Sequence, residues 1–334
     1  MSSPLEVLTS EELAQLRPGP MPAHLEPMKA KLTDQRYSDP DWFFERKLDG
    51  VRCLAFGGDD GVELRSRTDH LLNASYPEVV DGLQHRGGAD FVADGEIVAF
   101  SKGITSFSRL QARMHIADPE RARRTGVAVY LYLFDLVYVD GHDLRQLTNR
   151  ARKRVLRRAF TFGGPIRFQT HRNREGEALY ADACRRGLEG VIAKRAVSPY
   201  TGKRSGDWLK FKCGHEQELV IGGFTAPQGS RTDFGALLVG YYEDERLRYA
   251  GKVGTGFDHK TLASLGHELS ELEIDESPFD HVHPIPRGTR WVRPELVGQF
   301  GFAEWTRDGR LRHPRYLGLR DDKPAREVVR ERPS

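Results

Sequence analysis

The chain has 334 residues, 38% of them hydrophobic and 30% charged, and carries a net charge of +3. That is enough chain for a sizeable core and, at ~100–200 residues per domain, for two domains. The net charge is too small to mark a nucleic-acid partner, no apolar run approaches the ~18 residues of a membrane span, and no signal-peptide pattern opens the chain. The arginines nevertheless cluster, at 121–124, 150–158 and 287–332, and such clusters can contact phosphates. The three cysteines, Cys53, Cys184 and Cys213, lie far apart and show neither a disulfide framework nor zinc spacing. A soluble protein of the reducing cytoplasm is expected.

Residues 1–26 are Pro-rich and read as an irregular lead-in with one short helix at 10–16, for which Ser10 is a plausible cap. Strand, turn and strand follow through Lys47 to Arg67, with Asp59-Asp60-Gly61 as a hairpin turn. Helices are expected at 76–85, 107–114, 150–160 and 175–186, and strands at 91–100, 127–139, 190–194 and 208–212. After Cys213-Gly214 the pattern changes. Three consecutive strands at 218–225, 235–242 and 246–253, a helix at 257–272 and a strand at 298–306 outline an OB-type barrel. The expected organisation is an α+β domain with antiparallel sheets at 27–213, an OB-fold domain at 217–323 and a basic tail at 324–334.

Glu45-Arg46-Lys47-Leu48-Asp49-Gly50-Val51-Arg52 is a short charged stretch flanked by Trp42, Phe43 and Phe44 and by Leu54, Ala55 and Phe56. The flanks read as strand and Asp49-Gly50 as a turn. A lysine ending a strand there lies in a wall, where burial and nearby cations disfavour the ammonium and a neutral amine is a nucleophile. Gly50 allows close approach of a ligand, and Arg52 offers a forked set of donors to a phosphate. Read alone, the stretch is a solvated turn with mixed charges.

Further chemistry follows in order. Asp94 and Glu96 share one face of an apolar strand, and buried carboxylates need partners. Phe134 lies near the end of Tyr130-Leu131-Tyr132-Leu133-Phe134-Asp135. Glu189 and Lys194 bracket a short buried strand. Lys210 and Lys212 share a strand face, where like charges repel unless an anion lies between them.

Lys47-x-Asp49-Gly50-x-Arg52 resembles the nucleotide-attachment motif of the covalent nucleotidyltransferases: ATP-dependent DNA ligases, RNA ligases and mRNA capping enzymes. The later segments resemble that superfamily's further motifs in order. The ending Gly318-Leu319-Arg320-Asp321-Asp322-Lys323 and the entry at 27–31 are similar to the bacterial end-joining ATP-dependent DNA ligases. The resemblance implies an adenylation domain followed by the OB fold. It makes Lys47 the nucleophile toward ATP, and it makes Glu45, Arg52, Arg67, Glu96, Phe134, Lys194, Arg204, Lys210, Lys212, Arg320 and Lys323 nucleotide contacts. Phe134 would stack on the purine, Lys194, Lys210 and Lys212 would face the α-phosphate, and the lysine field would help lower the pKa of Lys47. Glu96 and Glu189 would hold Mg2+, with Mn2+ open. Arg320 and Lys323 would orient the leaving pyrophosphate, with a hinge near 212–215.

What this implies is a monomeric, nucleoid-associated enzyme sealing nicked duplex DNA through lysyl-AMP, in repair or end joining. Ku or a repair polymerase is a partner on which no residue bears. Roughly forty residues precede Lys47. A minimal catalytic core is therefore expected, without a DNA-encircling, polymerase or phosphoesterase module. An RNA ligase or capping-type transferase, and a non-catalytic nucleic-acid-binding module, remain the alternatives.

Overall fold

The structure is a computed structural model describing residues 3–84, 90–114, 116–227 and 233–332. The chain divides into two units, one running to Cys213 and the other from Gly214 to Glu331.

The first unit is built on two sheets. Strands β1 (Lys29–Leu32), β2 (Trp42–Arg46), β3 (Val51–Gly58) and β4 (Gly61–Arg65) open the chain. Helix α1 (Pro77–Gln84) precedes β5 (Phe91–Ser101) and β6 (Val129–Val139), and the predicted end of α1 at His85 lies outside the described residues. Then come α2 (Asn149–Ala159), β7 (Ile166–Phe168), β8 (His171–Asn173), α3 (Gly176–Arg185), β9 (Gly190–Arg195) and β10 (Arg204–Lys212). The larger sheet centres on β5, antiparallel to β3 and β6, with the β3–β4 hairpin on one side and β7 parallel to β6 on the other. The smaller sheet has the order β8-β2-β9-β10-β1, antiparallel except for β10 with β1.

Burial explains the local sequence. β5 and β6 are covered on both faces, so they run apolar with little alternation. In the smaller sheet Phe44, Val191, Ala193 and Phe211 face Leu179 and Ala183 of α3. The opposite face carries Glu45, Lys47, Lys194, Trp208, Lys210 and Lys212, as the two-residue period requires. Trp208 then meets Phe134 of the larger sheet at 6.0 Å, ring to ring. The candidate residues on that face thus line the space between the two sheets.

Two details differ from the sequence reading. The first helix spans Ser10–Leu13 and its cap is Thr9, which forms a reciprocal capping box with Glu12. A Thr-x-x-Glu pair satisfies two orphan donors where Ser10 would satisfy one. The lead-in also contributes Leu5 and Leu8 to the core. Second, Cys184 and Cys213 form a disulfide across 29 residues, with Cα atoms 5.0 Å apart, and Cys53 is a buried free thiol. Spacing hid this pairing, because α3 must first dock on the sheet before the end of β10 reaches it.

In the second unit β11 (His215–Thr225), β12 (Leu237–Glu243) and β13 (Arg246–Val253) form an antiparallel meander. Helix α4 (His259–Glu271) follows, capped by Asp258 and burying Leu262, Leu265 and Leu269. β14 (Thr289–Val292) and β15 (Val297–Phe302) both pair with the long β11, and β16 (Arg315–Arg320) pairs with β15. One long strand shared by two partners curls the sheet into an OB fold.

Candidate active site

Lys47 sits where the chain leaves one sheet for the other. Its backbone N–H donates to Gly190 O at 2.9 Å in the smaller sheet. Three residues on, Gly50 packs on the larger sheet so tightly that a Cβ there would lie 2.2 Å from Ile97 O. Between them Asp49 fixes the turn: Oδ2 accepts from Phe107 N at 3.0 Å, and its own N–H donates to Thr105 Oγ1 at 3.3 Å. Gly190 lies between Lys47 and its β10 partner Lys212. It has φ +146°, and a Cβ would lie 1.9 Å from Phe211 O, so a side chain is excluded twice over.

The Lys47 ammonium is ion-paired with Glu189 Oε1, with only 20% and 11% of the two side chains exposed. Burial is the largest influence on Lys47 and pulls its pKa down, but Glu189, Glu96 and Asp49 together outweigh it and hold the pKa above the ordinary lysine value. This corrects the expectation of a lowered pKa. Together the carboxylates dominate the charge around the lysine. Glu189 Oε2 is buried and takes no hydrogen bond among the described residues.

Deeper between the sheets, Glu45 is 2% exposed and bridges Lys153 (2.6 Å) and Lys194 (2.8 Å). Burial pushes the Glu45 carboxyl up, and the two ammoniums more than reverse it. Burial takes Lys194 down to about 8, Glu45 opposing and Lys153 adding to the fall. The Lys194 ammonium lies 4.1 Å from the Phe134 ring centre and 4.0 Å from that of Trp208. It is thus held in the corner between two edge-to-face rings, against the Glu45 carboxylate. Arg52 is likewise engaged. Its fork closes on Asp94 (Nε–Oδ1 and Nη2–Oδ2, both 2.6 Å), and Nη2 also donates to Met28 O at 3.2 Å. Tyr200 O–H completes the Asp94 shell at 2.7 Å. Arg52 shapes the cleft wall, 4.8 Å from the Phe134 ring centre.

Of the remaining sequence candidates, Glu96 is half-buried, pairs in register with Arg52 and acts on Lys47. Lys210 and Lys212 are half-buried on the cleft face of β10. Arg67 lies half-buried just after β4, and Arg204 is exposed at the start of β10. Arg320 and Lys323 belong to the second unit, where Arg320 chelates Asp322 (2.8 and 2.9 Å) and Lys323 meets Glu218 at 2.8 Å.

Sequence reasoning missed Lys153, Trp208 and His171. Lys153 hides in the basic run of α2, which also contains Arg152, fully buried against Asp135 at 2.7 Å. The sequence suggests a phosphate-contacting cluster there; two of its members are instead internal ion pairs. The helical face of Asn149, Arg152, Val155 and Leu156 was the available signal for Arg152. His171 lies against Phe43, ring centres 4.0 Å apart, and burial, with the charge of Lys153, lowers its pKa to about 4.

A buried lysine, two carboxylates beside it, an aromatic wall and a basic strand face thus share one cleft. The chain matches the family described as ATP dependent DNA ligase domain over residues 24–212 and that described as ATP dependent DNA ligase C terminal region over residues 230–323. It belongs to the ATP-dependent DNA ligases. It is 39% identical over 324 residues to the multifunctional non-homologous end joining protein LigD of Pseudomonas aeruginosa, covering 94% of this chain and 38% of that protein. The Mycobacterium tuberculosis protein of that kind is 39% identical over 299 residues, covering 87% of this chain and 37% of the other. The chain therefore spans well under half the length of these relatives. A solved structure of mycobacterial DNA ligase D complexed with ATP and MES superposes with a TM-score of 0.66 at 35% identity, covering 92% of this chain and 98% of that one.

Proposed function

We propose that this chain seals nicks in duplex DNA, using ATP to form a covalent Lys47–AMP intermediate. The observation that carries the reading is Lys47 itself, tethered to both sheets and facing Glu189, Glu96 and the Lys212 strand. The reaction has three steps. The Lys47 amine attacks the ATP α-phosphorus, a phosphoramidate bond forms and pyrophosphate leaves. The AMP then passes to the 5′-phosphate at the nick, releasing Lys47. The 3′-hydroxyl attacks that phosphate, the phosphodiester forms and AMP departs.

The residues contribute positioning and charge. Phe134, in the cleft wall, is the ring on which the base would stack. Lys210 and Lys212 place positive charge beside the row that holds Lys47 and stabilise the phosphoryl oxygens. Glu189 is the acceptor on the Lys47 ammonium, so the proton that must leave before attack has a carboxylate oxygen beside it. Glu189 and Glu96 also fit a magnesium site. Glu189 Oε2 is an orphaned buried acceptor, and no group of three or more ligating side chains is found among the described residues. Two carboxylates with the rest from water and phosphate is how Mg2+ is commonly bound. When bound there, the ion supplies charge neutralisation on the phosphates. Work in end joining, as performed by the longer relatives, is part of this proposal.

The test is incubation with α-labelled ATP, and in parallel α-labelled GTP, followed by denaturation. Acid-labile label from ATP that maps to Lys47 and is absent from Lys47→Ala supports the reading, with sealing of nicked DNA over nicked RNA as its second part. Label from GTP points to capping chemistry. No label from either, after pyrophosphate stripping, removes the enzyme reading.

A further inference from the structure

Outside the Lys47 cleft, the first unit carries a second concavity of about 400 Å³, lined by Phe100, Arg109, Tyr130, Tyr132 and Arg167 among others. Its floor is the same face of the larger sheet that bears Glu96 and Phe134. Glu96 pairs in register with Tyr132, Val98 with Tyr130, and Arg167 of β7 with Tyr132. The floor is aromatic and close-set: Phe100 meets Tyr130 edge-on at 5.7 Å and Tyr132 at 6.4 Å. The Arg167 guanidinium lies 5.1 Å from the Tyr130 ring centre, and stacking of this kind fixes its plane. Arg109 is exposed on the rim, one turn into the short helix after β5. Among the described residues neither guanidinium meets a carboxylate; Arg167 donates only to its neighbour's carbonyl at 3.3 Å. Arg46, the residue before Lys47, adds its field to that of Arg167 at the Tyr132 hydroxyl.

One guanidinium stacked on Tyr130 and a second on the rim, neither with a counter-charge among the described residues, form a surface for a polyanion with planar groups, not for an acidic peptide alone. Its position is also informative. Glu96 and Phe100 are four residues apart on one strand, about 13 Å, which is roughly the axial rise of four nucleotides along one DNA strand. We propose that this cleft grips the backbone of the nicked strand within about four nucleotides of the reacting phosphate, with Arg109 and Arg167 on phosphodiester oxygens and the Tyr132 hydroxyl as a further donor. The inference rests on the ligase reading for its ligand. Formation of Lys47–AMP needs no DNA and should not involve it.

The experiment is binding of a nicked duplex by wild type, Arg109→Ala, Arg167→Ala and the double variant from 50 to 200 mM salt, with Arg185→Ala on α3 as a charge-matched control. Removing one arginine–phosphate pair should flatten the slope of log K against log salt by about 0.9. The double variant should bind roughly tenfold or more weakly near 100 mM and seal correspondingly slowly, while label transfer from ATP stays at the wild-type rate. Wild-type affinity and slope in the double variant overturn the cleft. If wild type itself takes no label from ATP, the ligase reading fails separately, and the salt slope still decides whether the cleft holds DNA. Should the variants lose label transfer through misfolding, photocrosslinking decides on wild type. A duplex with 5-iodouracil within four nucleotides of the nick should label peptides containing Phe100, Tyr130 or Tyr132, and crosslinks confined to other peptides refute the proposal.

Discussion

Replacing Glu189 with Gln separates two roles that a loss-of-activity assay would merge. The substitution keeps the shape of the side chain and removes its charge from beside Lys47. At an effective dielectric constant near 20, opposite charges about 4 Å apart attract by ~4 kcal/mol, about a thousandfold in the proton-binding constant of the amine. Discounting by half for the solvent that reaches this pair leaves roughly thirtyfold. With Glu189 neutral, the largest upward influence on Lys47 is gone, and burial acts against only Glu96 and Asp49. The Lys47 amine should then react with an amine-selective reagent such as acetic anhydride between about thirtyfold and a thousandfold faster at neutral pH, read by peptide mass spectrometry against pH. Transfer of AMP from ATP should fall at the same time, because the proposed metal carboxylate has gone. An unchanged or higher titration range for Lys47 in Glu189→Gln would refute this electrostatic account of the site.

Further outcomes follow from other contacts. Glu45→Leu leaves two buried lysines facing each other and should cost about 3–5 kcal/mol in urea unfolding of the first unit. Gly190→Ala should cost about 2–4 kcal/mol by the same measurement, since both the backbone conformation and the 1.9 Å approach to Phe211 O exclude a methyl group. His171 has a folded pKa lowered from 6.5 to about 4, so the unfolded chain takes up its proton first as pH falls. The wild type should therefore lose stability between about pH 6.5 and 4 relative to His171→Phe, and equal pH dependence of the two proteins would contradict the burial of a neutral imidazole. The protein denatured without reductant should titrate as one thiol, and opening the 29-residue link between Cys184 and Cys213 should lower stability by about 3.5 kcal/mol on the chain-entropy model.

What the sequence reveals about this site is mostly what side chains must be, and much less what they must touch. Lys47, Asp49, Gly50 and Glu189 stood out because they match the nucleotidyltransferase motifs in order, the turn alone admitting a bland reading, and the structure brings all four to one place. The OB fold was legible from its strand–strand–strand–helix order. Arg52 and Lys194 were legible as charged residues of the cleft but their partners were not, since Asp94 and Glu45 come from other strands at registers that no local pattern records. Lys153 was invisible for a related reason. A lysine in a basic helical run looks solvated until the tertiary fold places a carboxylate beneath it. The Cys184–Cys213 pairing and the Thr9 cap follow the same division, the first depending on docking and the second on a local motif that was there to be read.

The placement of Lys47 has a practical consequence for anyone engineering this protein. The residue is anchored at one side to Gly190 and three residues later to the strand holding Ile97, so its reach depends on how both sheets pack. Substitutions in the core between the sheets, where Phe56 and Tyr138 cluster with Phe134 and Trp208, should surface in a library as slow enzymes before they surface as unstable ones. A screen that sorts variants by expression or solubility alone would pass them. Pairing such a screen with a readout of AMP loading would recover the difference, and would turn distant core positions into a means of tuning the reaction without touching its motifs.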